Sequence, residues 1–243
     1  MRTRSWKLGI FGIALALVFT FAAFRPSYAA PLTITTPVFS LGDVAISGDP
    51  LTIAAAVSAG GSVELTGAPL TIAAPVTAAG NITVSATDTA ALGESVFIGP
   101  SAITSTAGNI TFSVGDDFTL SLGSVISAPN GGVTIVLDAG GADAGAGSTA
   151  TLAGQLSGQH VTIAGGADFD TLIFQGPAAV VTCTGAQSGT ISAPGITDIV
   201  FTGIESITGN VTVATAPEPA TLVLICIAVA GLGFSRRKHT AKR

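Results

Sequence analysis

Pro31-Leu32-Thr33-Ile34 returns as Pro50-Leu51-Thr52-Ile53 and as Pro69-Leu70-Thr71-Ile72, each copy 19 residues after the last. A second apolar stretch follows each quartet: Val44-Ala45-Ile46, Val63-Glu64-Leu65 and Ile82-Thr83-Val84. Farther along the spacing loosens, but one phrase persists. Gly80-Asn81-Ile82-Thr83-Val84 reappears as Gly108-Asn109-Ile110-Thr111-Phe112, as Gly131-Gly132-Val133-Thr134-Ile135 and as Gly209-Asn210-Val211-Thr212-Val213. Gln159-His160-Val161-Thr162-Ile163 is a weaker copy. Apolar residues alternate with Thr in these copies, the period of two expected of a strand with one buried face. Gly-Asn or Gly-Gly ahead of the strand suits a tight turn with positive φ. No segment between residues 30 and 216 sustains a helical period, and the Ala54–Ala59 run is broken by β-branched Val57.

A short repeat of this kind cannot bury its own apolar face, but stacked copies form a continuous core. The expected fold is therefore all-β, a parallel β-solenoid (β-helix) over residues 30–216. It would have about eight coils and a length of roughly 38 Å at ~4.8 Å per strand spacing. An antiparallel β-sandwich is the alternative, since it too has short alternating strands and Gly-rich turns. The early 19-residue spacing favours the solenoid. Gly165-Gly166-Ala167-Asp168-Phe169-Asp170-Thr171-Leu172-Ile173-Phe174 and the stretch Ile199 to Gly209 read as terminal coils capping the stack.

The ends read differently. The 243-residue chain has nine Lys and Arg against fourteen Asp and Glu, and a mean hydropathy of +0.68. All nine basic residues lie at Arg25 or before, or at Arg236 or after. A basic start, an apolar run from Leu8 to Phe24 and Ser27-Tyr28-Ala29-Ala30 have the layout of a signal peptide over residues 1–29. Cleavage is expected after Ala29, with Ala30 the first residue of the body, by signal peptidase following Sec-type export. At the other end Pro217-Glu218-Pro219 precedes an apolar segment, residues 220–234, expected to be a transmembrane helix. The cluster Arg236-Arg237-Lys238 would stop transfer and hold the tail in the cytoplasm.

This tail, residues 217–243, resembles the PEP-CTERM sorting signal of Gram-negative and related bacteria. The resemblance implies recognition and removal of the tail by an exosortase, an integral-membrane transpeptidase-like enzyme. It also implies export, transient anchoring in the inner membrane, and a final place at the cell surface or in an extracellular matrix rich in exopolysaccharide, as in biofilms. The repeats loosely resemble those of filamentous-haemagglutinin-like surface proteins.

Between the two ends there is no Lys or Arg, one His, one Cys, no Trp and no Tyr. Neutralising phosphates needs basic residues, so nucleic acid is excluded as a partner. Phosphoryl transfer has no cationic clamp. A Ser-His-Asp triad would rest on His160 alone, which reads as an exposed turn residue. One His and one Cys make a poor zinc site, and Cys183 reads as a small buried group on a strand. Cys226 falls in the removable tail, so no disulfide is expected. Asp116-Asp117 and Asp168/Asp170 could serve glycoside hydrolysis, but acids in Gly-rich turns more often shape the turn. The run from Gly165 to Ile173 comes close to the calcium-binding nonapeptide, departing where Asp168 stands for Gly. Asp168 and Asp170 are accordingly the candidate metal ligands, for calcium, and no other cofactor is expected. The Asn-x-Thr sequons at Asn81, Asn109 and Asn210 read as turns of the repeat. The expected function is that of a non-enzymatic exported surface or matrix protein. A carboxylate-dependent carbohydrate-active enzyme or a calcium-stabilised adhesin are the alternatives.

Overall fold

A computed structural model describes residues 30–86, 89, 93–141 and 147–214. Every regular element among them is a β-strand. The first turn of chain lays down β1 (Leu32–Ile34), β2 (Val38–Ser40) and β3 (Val44–Ser47). The second gives β4 (Leu51–Ile53), β5 (Val57–Ala59) and β6 (Val63–Thr66), and the third β7 (Leu70–Ile72), β8 (Val76–Ala78) and β9 (Ile82–Ala86). Then come β10 (Val96–Ile98), β11 (Ala102–Ser105) and β12 (Ile110–Val114), followed by β13 (Phe118–Leu120), β14 (Val125–Ala128) and β15 (Val133–Val136). The sixth triplet is β16 (Thr149–Leu152), β17 (Gln155–Gly158) and β18 (Val161–Ala164). After it lie β19 (Thr171–Gly185), β20 (Ser188–Ser192), β21 (Ile199–Thr202) and β22 (Ser206–Ala214).

From β1 to β16, and again at β18 and β19, each strand pairs in parallel with the strand three places on. The triplets therefore build three ladders, one for each strand of the turn. The Leu-Thr-Ile quartets stack in register, Leu32 on Leu51 on Leu70 and Ile34 on Ile53 on Ile72. The Gly-Asn phrases do the same, Ile82 on Ile110 on Val133 on Val161. Two of the ladders join through β20 into one mostly parallel sheet whose path runs from β1 to β19, across to β21 and back to β3. This nearly closed arrangement is consistent with a β-helix or solenoid.

Alternation sorts the side chains as the sequence requires. Leu51, Ile53, Leu65, Leu70, Ile72, Ile82 and Ile110 are fully buried in one core. Phe112 and Phe118 meet edge to face in it, ring centroids 5.1 Å apart. The outward positions form columns of hydroxyls, such as Thr83, Thr111, Thr134 and Thr162 on one ladder.

Two expectations are corrected. Positive φ occurs at Gly209 but not at Gly80, Gly108, Gly131 or Gly132. These glycines answer to stacking rather than to turn type. A Cβ on Gly108 would sit 2.5 Å from the carbonyl carbon of Gly80 in the turn beneath, and one on Gly131 would strike the Gly108 carbonyl. The regular stacking changes character toward the end of the body. After six regular triplets β20 runs antiparallel between β19 and β21, and β22 pairs with β19. Finally, Cys183 is exposed, because that part of β19 lies beyond the core in the hairpin with β20.

The expected signal-peptide helix within residues 1–29 and the expected transmembrane helix at residues 220–234 lie outside the described residues. Among the described residues no helix is long and apolar enough to cross a membrane.

Candidate functional site

The body's polar groups are used largely to bind one turn to the next. Asp43 Oδ1 accepts the Ser62 N–H (2.7 Å), and Ser62 Oγ accepts the Asn81 N–H (3.2 Å). Asn81 Oδ1 accepts the Asn109 N–H (2.9 Å), and Asn109 Oδ1 accepts the Gly132 N–H (2.8 Å). In this column each side-chain oxygen meets a backbone donor that would otherwise face solvent at a corner. Gly132 ends the column because the exposed His160 imidazole fills the space where its Cβ would stand. Asn210 does similar work elsewhere, its Nδ2 donating to the Gly176 carbonyl (3.1 Å).

The acids considered for catalysis are engaged in the same way. Asp116 Oδ2 accepts the N–H groups of Gly93 and Glu94, and Asp117 Oδ1 accepts that of Thr149 (2.9 Å).

Asp168 and Asp170 differ in placement. Asp170 is fully buried, whereas Asp168 is half-buried. Asp170 Oδ1 accepts the Ser148 N–H (2.9 Å) and Oδ2 the Gly166 N–H (2.6 Å). Its own N–H donates to Glu205 Oε2 (2.6 Å), and its carbonyl accepts the Glu205 and Ser206 N–H groups. Asp170 thus pins the sixth triplet, the 165–170 loop and the start of β22 together. Burial raises its carboxyl above the ordinary 3.8, outweighing the two N–H donors, and nearby Glu205 and Asp138 push the same way. Both oxygens of Asp170 already hold backbone donors, and no group of three or more His, Cys, Asp or Glu among the described residues could hold a metal ion.

Reading by sequence alone missed two acids. Asp138, at φ 49°, is buried with Oδ1 lacking a hydrogen-bond partner, while its Oδ2 accepts the Ala167 N–H (3.2 Å). Glu94 is buried with Oε2 unpartnered, and its Oε1 accepts the Thr89 hydroxyl (2.5 Å). Each stands alone in a Gly-rich stretch, with no spacing to mark it. A cavity of about 560 Å³ opens between Leu122–Val125, Gln175–Pro177 and Pro194–Ile196, and its wall carries no Asp, Glu, His or Cys.

The sorting residues Pro217, Glu218, Pro219, Arg236, Arg237 and Lys238 lie outside the described residues, as does Ala29. The described body ends at Ala214, exposed at the close of β22, and Ala30 at the other end lies two residues before β1. Strands that finish at residue 214 and an apolar, basic-ended segment beyond define a class: a folded β-repeat body carrying a sorting tail. The tail is matched by the PEP-CTERM protein-sorting motif over residues 215–238. The chain thus carries a PEP-CTERM sorting motif at its C-terminal end. That motif implies an exported protein, held transiently at the membrane by its tail and processed by an exosortase-type system. No curated protein and no solved structure matches the chain, and the likeness of the body to filamentous-haemagglutinin-like proteins gains no support.

Proposed function

We propose that the protein is a non-enzymatic component of the bacterial surface or extracellular matrix, delivered by exosortase-type sorting and associated with exopolysaccharide. The observation that carries this reading is the sorting motif at residues 215–238, directly after the last strand of the body. The body supports it in two ways. Its outward columns carry Thr or Ser over most turns, a surface suited to a hydrated matrix. Its candidate catalytic carboxylates Asp116, Asp117 and Asp170 each accept backbone N–H groups, a turn-binding use of acids. Deleting Pro217–Arg243 tests the sorting step: the truncated protein should be misplaced or unprocessed in cells that sort the full chain. Normal maturation of the truncated chain would refute it. The enzymatic alternative is tested by incubating the exported protein with polysaccharides and measuring reducing ends. Activity lost in Asp116→Asn or Asp170→Asn would replace this reading with that of a carbohydrate-active enzyme.

A further inference from the structure

The two ends of the stack are finished differently. At the far end β20 joins β19 to β21 by antiparallel pairing, β22 follows β19 as the last strand of the first ladder, and Thr197 covers the last strand of the third, its hydroxyl bonding both the N–H and the carbonyl of Gly158. At the near end β1, β2 and β3 are edge strands with no described strand beyond them. The Val38 N–H and the Ser40 carbonyl are bonded to the second turn, so the N–H and carbonyl of Phe39 between them face outward along the stack axis. The same alternation leaves the backbone groups of Thr33 on the open edge. Leu32, Ile34, Val38 and Ile46 are only partly buried here, unlike their counterparts in later turns.

The side chains of this first turn also break the columns they head. Phe39 stands above Ser58, Thr77, Thr104, Ser127 and Ser157, yet is 67% exposed. Leu41, whose place in the second turn is taken by Gly60, is 100% exposed. Large apolar groups thus appear at positions that are small or polar farther along, at the end where the ladders are unpaired. Unprotected strand edges recruit further strands, and terminal repeats of a solenoid need a cover.

We infer that this end is the interface for a second copy of the chain, joined head to head. A two-fold axis across the stack reverses strand direction, so the open edges meet as antiparallel pairs. With the axis through Phe39, β2 pairs with β2 of the second copy and β1 with its β3. Phe39 then lies opposite Phe39 of the second copy, exchanging both backbone hydrogen bonds, and the two rings form a cross-strand aromatic pair. Charge favours this junction. The first turn carries only Asp43, whose carboxylate is turned to Ser62 of the second turn, and Asp49 at the corner leading to the second turn. The far end gathers Asp138, Asp168, Asp170, Asp198 and Glu205, and two such ends would repel.

The test uses the protein as its cells export it, with intact mass recorded and light scattering followed from about 1 to 100 µM. A dimer is expected. Phe39→Ser with Leu41→Gly installs the residues the second turn already carries, so the fold should persist by circular dichroism. Its dimer dissociation constant should rise by about 30-fold or more. In a Cys183→Ser background, Phe39→Cys should give a disulfide-linked dimer on oxidation, since paired Cα atoms near 5.5 Å suit the bond. A monomer at every concentration overturns the inference, as does a dimer indifferent to the double substitution. Binding of wild type, but not the double variant, to phosphatidylcholine vesicles without dimerisation would assign the patch to lipid instead.

Discussion

At the scale of single residues, this fold is governed by how closely consecutive turns approach. The strand ladders set a spacing of about 4.8 Å between turns, and at the corners the backbones come nearer than a methyl group allows. Gly108 and Gly42 separate this demand from ordinary glycine flexibility, since neither has positive φ. An added Cβ at Gly108 meets backbone of the turn beneath, whereas one at Gly42 meets nothing within 4 Å. Gly108→Ala should therefore cost about 1–3 kcal/mol by forcing the turns apart, and Gly42→Ala should change stability by no more than about 0.5 kcal/mol. Denaturant unfolding of the two variants checks this, and equal effects would mean that backbone entropy rather than stacking selects the glycines. Asn109→Ala, which removes the acceptor of the Gly132 N–H, should cost about 1 kcal/mol in the same measurement.

At the scale of elements, what could be read from the sequence was what repeats. Leu51, Ile53, Leu70 and Ile72 recur at 19 residues, and the same recurrence fixes the register of β4 and β7. The cap is legible only in part: residues 165–174 and 199–209 read as terminal coils, but antiparallel β20 between them repeats nothing that would mark it. Nothing in Val180-Val181-Thr182-Cys183-Thr184 marks where the strand leaves the core, so alternation alone buries Cys183, whereas the hairpin with β20 buries Val181 and exposes Cys183. Asp170 shows how the fold adds partners that a local phrase does not name. Its neighbours in the calcium-like phrase matter less than Ser148 and Glu205, which are distant in sequence and reach it only through the fold.

The raised carboxyl of Asp170 gives this cap a pH dependence. The folded protein binds the proton more tightly than the unfolded chain. The resulting stability is full below 3.8 and is lost as pH rises through the raised value. The cap should therefore grow more stable as pH falls from neutral toward 3.8, seen as slower amide exchange at Ser148 and Gly166. Asp170→Asn, uncharged throughout, should flatten that dependence. It should also cost about 1–3 kcal/mol at acid pH, because its single acceptor oxygen cannot serve both donors. An unchanged slope in the variant would place the titration in another group.

At the scale of the whole molecule, the distribution of charge is as uneven as the two ends. Residues 30–216 carry thirteen acids and no Lys or Arg. The described acids of the first two turns are Asp43, Asp49 and Glu64, whereas after β9 stand Glu94, Asp116, Asp117, Asp138, Asp168, Asp170, Asp198 and Glu205. Their mutual repulsion opposes folding, and salt screens it as the Debye length contracts from about 30 Å at 0.01 M to about 8 Å at 0.15 M. Raising sodium chloride over that range should lift the melting temperature by about 2–4 °C, the effect of roughly 1 kcal/mol on a domain of this size. Exchange protection should increase most from β13 to β22, where the acids gather, and least in β4 to β8. Calcium chloride at equal ionic strength discriminates screening from binding. Carboxylates already spent on backbone donors predict the same increase for both salts. A larger rise with calcium, abolished by Asp168→Asn, would establish a bound ion in the cap and restore the ligand role that the sequence of the 165–173 loop suggests.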